Sequence, residues 1–220
     1  MDAPAEVTAS PLRQWVKGAM TRVVPSGWFR VRESAEERGI YLTFDDGPHP
    51  VHTPRLLDAM AAVGARGTFF VRGDHAAAQP EIVRRIVAEG HALGHHSFSH
   101  GEPSATSADT LADEVRRTLD LFQTLLNRSS TLFRPPHGKV TPGKLARLWA
   151  AGQSVILWNV DPKDFARASA DELRAWLEAH PLDAGDIVLL HDTHPHAAEV
   201  MPFFADRARA AGLSLLPLRR

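Results

Sequence analysis

No cysteine occurs among the 220 residues of the chain, which excludes disulfides, thiolate metal ligands and a cysteine nucleophile. Any metal chemistry must therefore draw on oxygen and imidazole donors, which 26 acidic residues and 12 histidines supply. Charge of one sign is also lacking. The formal net charge is -1, which offers no global attraction for nucleic acid, so no nucleic-acid partner is expected. Long hydrophobic runs are missing too, and none would span a bilayer. The start, Met1-Asp2-Ala3-Pro4, has neither the basic beginning nor the apolar stretch of a signal peptide, so the expectation is a cytoplasmic protein. Neither repeats nor low-complexity tracts appear, and the length suits one compact core.

What is present is an alternation. From Gly39 onward, short β-rich runs are separated by longer amphipathic ones, the pattern of a parallel sheet or barrel with helices outside. Seven strands are expected, at 40–44, 67–71, 91–95, 131–134, 154–160, 187–190 and 213–217. Helices are expected at 54–63, 81–89, 108–126, 142–150, 171–180 and 197–211, several with capping signals such as Thr53 before Pro54. Loops that follow the strands should then meet at one end of the sheet.

Residues 1–38 read differently and form an N-terminal extension to a domain over 39–220. Between Pro11 and Arg32 there are five basic residues and no acidic one, and Leu12, Trp15, Val16, Met20 and Val23 recur at helical spacing. The preferred expectation is a helix packed on the barrel. The alternative is peripheral contact of residues 11–32 with an anionic membrane at its inner face.

Five loop constellations carry chemistry. An apolar strand runs into Asp45-Asp46-Gly47-Pro48, where Gly47 and Pro48 bend the chain so that two adjacent carboxylates are usable. Alone, such a turn reads as a solvated loop. His96 and His100 stand four apart, a spacing that faces two imidazoles toward one cation on a helical turn, with Asp46 the obvious carboxylate to complete the set. Arg134, followed by Pro135, Pro136 and His137, is placed to hold Asp45 by its planar fork. Asp164 is placed to do the reciprocal service for a histidine, and either residue alone would read as a structural ion-pair member. A buried strand ends in Leu189-Leu190-His191, where a histidine suits proton transfer. Trp149, Trp158 and Trp176 read as core, and His49, His52, His75, His95, His194 and His196 as loop solvation.

Together the motifs Thr43 to Pro48, His96 to His100, Arg134 to Gly138, Asp161 to Asp164 and Leu189 to His191, in that order, resemble the polysaccharide deacetylase family, also called the nodulation-type or carbohydrate esterase family 4 domain. The resemblance runs from about Gly39 to Leu218. It implies an α/β fold, a distorted seven-stranded (β/α) barrel, and hydrolysis of the acetamide of an N-acetylated amino sugar in an oligosaccharide or glycoconjugate. It further implies one divalent metal ion on Asp46, His96 and His100, with zinc the first choice and cobalt, nickel or iron also compatible. Asp45 would be the general base, oriented by Arg134, and His191 the general acid, tuned by Asp164. Pro135, His137 and Leu189 would contact substrate. His137 and Phe165 depart from the family pattern, which usually has an aromatic residue and a tryptophan there, so retained catalysis on an altered substrate is expected. A deformylase or other amidohydrolase acting on a lipid-linked or small substrate is the alternative. A non-catalytic carbohydrate binder is disfavoured, because no motif residue is missing.

Overall fold

The computed structural model describes residues 24, 25 and 27–219. Its centre is a curled, all-parallel sheet. In chain order the strands are β1 (Phe29–Arg30), β2 (Gly39–Asp45), β3 (Thr68–Val71), β4 (Ala92–His95), β5 (Leu132–Phe133), β6 (Ser154–Ile156), β7 (Ile187–His191) and β8 (Ser214–Leu215). They pair in the order β1-β6-β5-β4-β3-β2-β7, with β8 added to the start of β2. Beyond β6 the chain returns to β7 through a bridge between Val160 and Val188, where the Leu189 N–H donates to the Val160 carbonyl at 2.9 Å. That contact brings the two ends of the curl together, and the result is a distorted (β/α) barrel.

Around the sheet lie α1 (His52–Ala62), α2 (Gly73–Ala78), α3 (Pro80–Ala88), α4 (Ala108–Leu126), α5 (Pro142–Ala150), α6 (Ala170–Ala179), α7 (His196–Glu199) and α8 (Met201–Ala210). Side-chain caps start three of them: Ser107, Thr141 and Ser169 each accept a backbone N–H of the first turn, satisfying donors that the helix itself leaves free. Strand periodicity sorts the core. Leu42 and Phe44 of β2 pack outward among Leu56, Leu57 and Met60 of α1. Tyr41, on the opposite face, joins Phe70, Leu132, Ile156 and Ile187 inside the barrel.

Several expectations change. α2 was not foreseen, because Gly73–Ala78 is too short and too small-chained to show a period. The single helix expected over 197–211 is two, α7 and α8, parted at Val200. The strand expected over 154–160 ends at Ile156, and only Val160 pairs again. The N-terminal helix expected within 1–38 and its membrane role rest mainly on residues 11–23, which lie outside the described residues. The described part of that segment departs from a helical extension. Phe29 and Arg30 add β1 to the edge of β6, and Phe29 is buried among Leu145, Leu148 and Val155. Burial of one aromatic ring and two ladder positions decides the matter there.

Candidate active site

The motif loops meet at the C-terminal ends of the strands, around a cleft of ≈ 470 Å³ lined by Asp45, Asp46, His96, His100, His137, Leu189 and His191, among others. Each is placed by local backbone chemistry. Asp45 ends β2, and Asp46 follows in the left-handed region at φ 74°, a conformation that aspartate tolerates better than most residues. The turn brings two consecutive carboxylates to one cleft, which a continuing strand would not do. Gly47 is required next, since a Cβ there would lie 2.0 Å from the Asp192 Oδ2.

His96 and His100 do not sit on the expected helical turn. They lie on an irregular loop in which Ser97 and His100 take φ of 63° and 57°, and Ser97 Oγ accepts the His100 N–H at 3.1 Å. The loop still turns both rings inward, 4.9 Å apart.

Asp46, His96 and His100 offer ligand atoms all within 4.8 Å of one another. His96 Nε2 and His100 Nε2 lie 3.7 and 3.4 Å from Asp46 Oδ1, close to the roughly 3.4 Å edge of a tetrahedron with bonds of about 2.1 Å. His96 Nδ1 is 2.7 Å from the Arg134 carbonyl, so this nitrogen carries the proton and Nε2 keeps its lone pair for the site. Burial pushes the pKa of both imidazoles down, against the pull of Asp46, and keeps them neutral. Asp46 Oδ1 is buried with no hydrogen-bond partner among the described residues. A buried carboxylate oxygen facing two neutral imidazoles is what a divalent cation satisfies, so these residues fit one.

Beside the triad stands Asp45, 3% exposed. Burial raises its pKa above the ordinary carboxylate value, with Arg134 and His191 opposing the rise, which leaves a carboxylate of heightened basicity. Arg134 is fully buried. Its Nη1 donates to Asp45 Oδ1 at 2.8 Å and Thr43 Oγ1 at 2.7 Å, while Nε and Nη2 donate to the Ile156 and Leu157 carbonyls. The guanidinium also lies 4.1 Å above the Phe70 ring. Across the cleft His191 Nδ1 meets Asp164 Oδ1 at 2.8 Å, and its Nε2 lies 3.9 Å from Asp46 Oδ2. Burial works to lower the His191 pKa, but the Asp164 hydrogen bond and charge, aided by Asp45 and Asp46, raise it to about 9.

Leu189 and His137 line the cleft, the latter with its ring 4.8 Å from that of His100. Pro135, expected to contact substrate, is buried and lines a small neighbouring cavity with Pro103 and Pro136, while the cleft is lined by other residues. Its carbonyl accepts the Gly138 N–H at 2.9 Å and shapes the loop that presents His137. Phe165 is 56% exposed at the rim, with His191 edge-on at 5.2 Å. Three participants were not singled out from the sequence. Thr43 shares Arg134, His75 Nδ1 sits 2.8 Å from the Asp46 carbonyl, and Trp158 lines the cleft although its sequence context reads as core. The alternation of β2 was a signal for Thr43, two residues before Asp45 on the same face. No sequence signal marks the other two.

Comparison with known proteins agrees with this geometry. The family model described as polysaccharide deacetylase matches residues 32–156. A chitooligosaccharide deacetylase of Bradyrhizobium sp. (strain ANU 289) is 37% identical over 185 residues, 82% of this chain and 83% of that protein. Among solved structures, a peptidoglycan N-acetylglucosamine deacetylase in complex with an N-hydroxybenzamide compound superposes with a TM-score of 0.82 at 25% identity, covering 94% of each chain. A family 4 carbohydrate esterase from Streptomyces lividans, in complex with acetate, gives 0.74 at 30% identity over 80% of this chain and 90% of that one. A family model over more than half of the sequence, joined to relatives at this identity and coverage, makes the chain a member of the polysaccharide deacetylase family.

Proposed function

We propose that this chain is a metal-dependent hydrolase of amide C–N bonds that deacetylates an N-acetylated amino sugar in an oligosaccharide or glycoconjugate. The observation that supports it most is the convergence on one cleft of three sets: the Asp46, His96 and His100 donors, the Asp45–Arg134 pair and the His191–Asp164 pair. A divalent cation held by Asp46, His96 and His100, with zinc favoured by the carboxylate and two-imidazole donor set, would supply a Lewis acid for the amide carbonyl and for the attacking water.

The rest belongs to the chain's own residues. Asp45 takes the proton of the attacking water, since burial makes it a better base than a solvated aspartate. Arg134 fixes the direction of Asp45 and keeps the proton acceptor aimed into the cleft. His191 Nε2 hands a proton to the departing amine, and Asp164 holds the ring in the orientation this needs. Leu189 gives the acyl end an apolar wall, and His137, Trp158 and Phe165 border the sugar.

The substrates in the relatives' names, chitooligosaccharide and peptidoglycan N-acetylglucosamine, support the acetamide of an amino sugar over the formamide of a lipid-linked one. The test offers purified protein chitooligosaccharides, soluble peptidoglycan fragments and a lipid-linked formamido sugar, and measures released acid and new amine with and without chelator. Acetate release that stops with metal removal is expected. Formate release alone, or turnover indifferent to thorough chelation, would overturn the reading.

A further inference from the structure

His96 and His100 are joined by three residues, and each of the three is held from outside the loop. The Ser97 and Phe98 carbonyls accept the backbone N–H groups of Gly73 and Asp74, both at 3.0 Å, and the Ser99 carbonyl accepts Arg72 Nη2 at 3.4 Å. The other side of the loop meets α4. There Glu114 takes two residues with one carboxylate: Oε2 accepts the Phe98 N–H at 3.3 Å, and Oε1 accepts the Ser99 hydroxyl. Arg117, one turn further along α4, stacks its guanidinium 3.8 Å above the Phe98 ring. That ring is seated against Gly73, where a Cβ would lie 2.4 Å from its Cδ2. Both oxygens of Glu114 are thus committed to the loop.

Resting on the reading of Asp46, His96 and His100 as metal ligands, we propose that Glu114 is a positioning residue that sets the approach of the two imidazoles and thereby the affinity of the site for its divalent cation. The physical need lies in the backbone. Ser97 and His100 stand at φ 63° and 57°, in a region that residues other than glycine occupy only where their surroundings hold them. Released, so short a loop would relax toward extended backbone, and the two Nε2 atoms would lose their common focus. The bond from the His100 N–H to Ser97 Oγ closes the loop on itself but does not fix where it lies relative to Asp46 at the end of β2. Glu114 supplies that anchor from a rigid helix, whose Leu111, Val115 and Phe122 are buried. A carboxylate accepting from an amide and a hydroxyl holds them more firmly than a neutral acceptor would. Partners standing one step behind the ligands carry about 10- to 100-fold of metal affinity. The role differs from that of the Arg134 carbonyl, which orients the His96 ring, because Glu114 acts on the backbone between the rings.

The test compares the full-length wild type with Glu114→Met, which keeps the length of the side chain and removes both acceptors, with Glu114→Gln, which keeps one, and with Ser99→Ala. Metal-free protein of each is titrated with zinc against a chelator of known affinity, and the visible spectrum of the cobalt form is recorded at saturation. Urea unfolding of the metal-free proteins reports stability separately. Glu114→Met is expected to bind zinc about 10- to 100-fold more weakly, with an altered cobalt spectrum, and Glu114→Gln to recover part of the loss in both. Ser99→Ala should weaken zinc binding by less, and should add nothing in the Glu114→Met background. A role in stability alone predicts instead a lower urea midpoint with wild-type affinity and spectrum, and that result overturns the proposal. Should Glu114→Met fail to fold, Ser99→Ala decides, and unchanged zinc affinity there overturns the proposal as well. Wild type that binds zinc yet releases no acetate from a chitooligosaccharide overturns the deacetylase reading and leaves the comparison of affinities standing.

Discussion

Asp164 grips His191 twice: Oδ1 meets the ring Nδ1 at 2.8 Å and Oδ2 accepts the His191 backbone N–H at 2.7 Å. One buried carboxylate thus fixes both where the imidazole sits and which of its nitrogens holds the inward proton. The other nitrogen, Nε2, is left facing the cleft. The arrangement ties the His191 pKa to a single side chain.

The Asp164→Asn variant should therefore change the pH profile as well as the rate. The raised His191 pKa, about 9, keeps the acid form present through neutral pH, and activity is expected to decline only as pH rises toward that value. A cation in the triad lowers this limit but leaves the comparison intact. Without the Asp164 charge the alkaline limb of kcat should move to lower pH, with a loss of about 10²-fold at pH 8. Steady-state rates between pH 6 and 10 at fixed metal check this, and a superimposable profile would remove Asp164 from the role.

For Asp45→Asn, kcat should fall by about 10²- to 10⁴-fold while metal stoichiometry is retained, because Asp45 works beside the triad and outside it. Turnover of a chitooligosaccharide and zinc content are the measurements. Loss of zinc in parallel with activity would show that Asp45 is a ligand instead.

Arg134→Met should destabilise the fold as well as the reaction. It removes the positive partner of buried Asp45 and four donated hydrogen bonds at the centre of the barrel, and breaking a buried ion pair costs about 3–5 kcal/mol. Urea unfolding monitored by tryptophan fluorescence would register this. A change below about 1 kcal/mol would mean that the pair is solvated in solution.

Stability should rise with pH between about 4 and 6.5. His95, fully buried and with its Nε2 2.9 Å from Gln153 Oε1, and His91, packed under the sheet, both have pKa values lowered by burial to about 4. Unfolded chains bind these protons from 6.5 downward, so the stabilisation is complete above 6.5 and is lost as pH falls toward 4. His95 alone accounts for on the order of 3 kcal/mol. In urea unfolding of metal-free protein at pH 7 and pH 4.5, His95→Gln should show a clearly smaller pH dependence than wild type. An equal dependence would exclude His95 as its source.

Gly47→Ala should lower both stability and kcat, since its Cβ would lie 2.0 Å from the Asp192 carboxylate that Thr53 holds at 2.6 Å. Overpacking of this kind costs about 1–3 kcal/mol, and it falls next to Asp46. Thermal unfolding of Gly47→Ala, Asp192→Ser and the double variant forms a cycle in which Asp192→Ser should relieve most of the strain. Strict additivity would place the clash elsewhere.

Much of this site could be read in advance from residue types at strand ends. Asp45-Asp46-Gly47, His96 with His100, Arg134 and His191 each follow an apolar run, and runs of that period specify strands whose ends must share one rim. Helices over 108–126 and 142–150 were equally plain, because their apolar stripes are long and their caps explicit. Phe29–Arg30 was not, since two residues carry no period and β1 exists only because β6 offers an edge and a pocket for the ring. Pro135 sits beside the right residue yet lines a neighbouring cavity, a matter of loop conformation that adjacency in sequence does not encode.

By itself, the sequence settled the chemistry available and the order of elements: a cysteine-free donor set confined to carboxylates and imidazoles, and strands alternating with helices. Local periodicity and composition are enough for that, because each depends on neighbours within a few positions. Tertiary structure alone decided that Arg134 also takes Thr43 Oγ1 inside the barrel, that Trp158 lines the cleft, and that His194 comes within reach of Asp164. These contacts join residues about 30 to 90 positions apart, and only the curl of the sheet sets the distances between them.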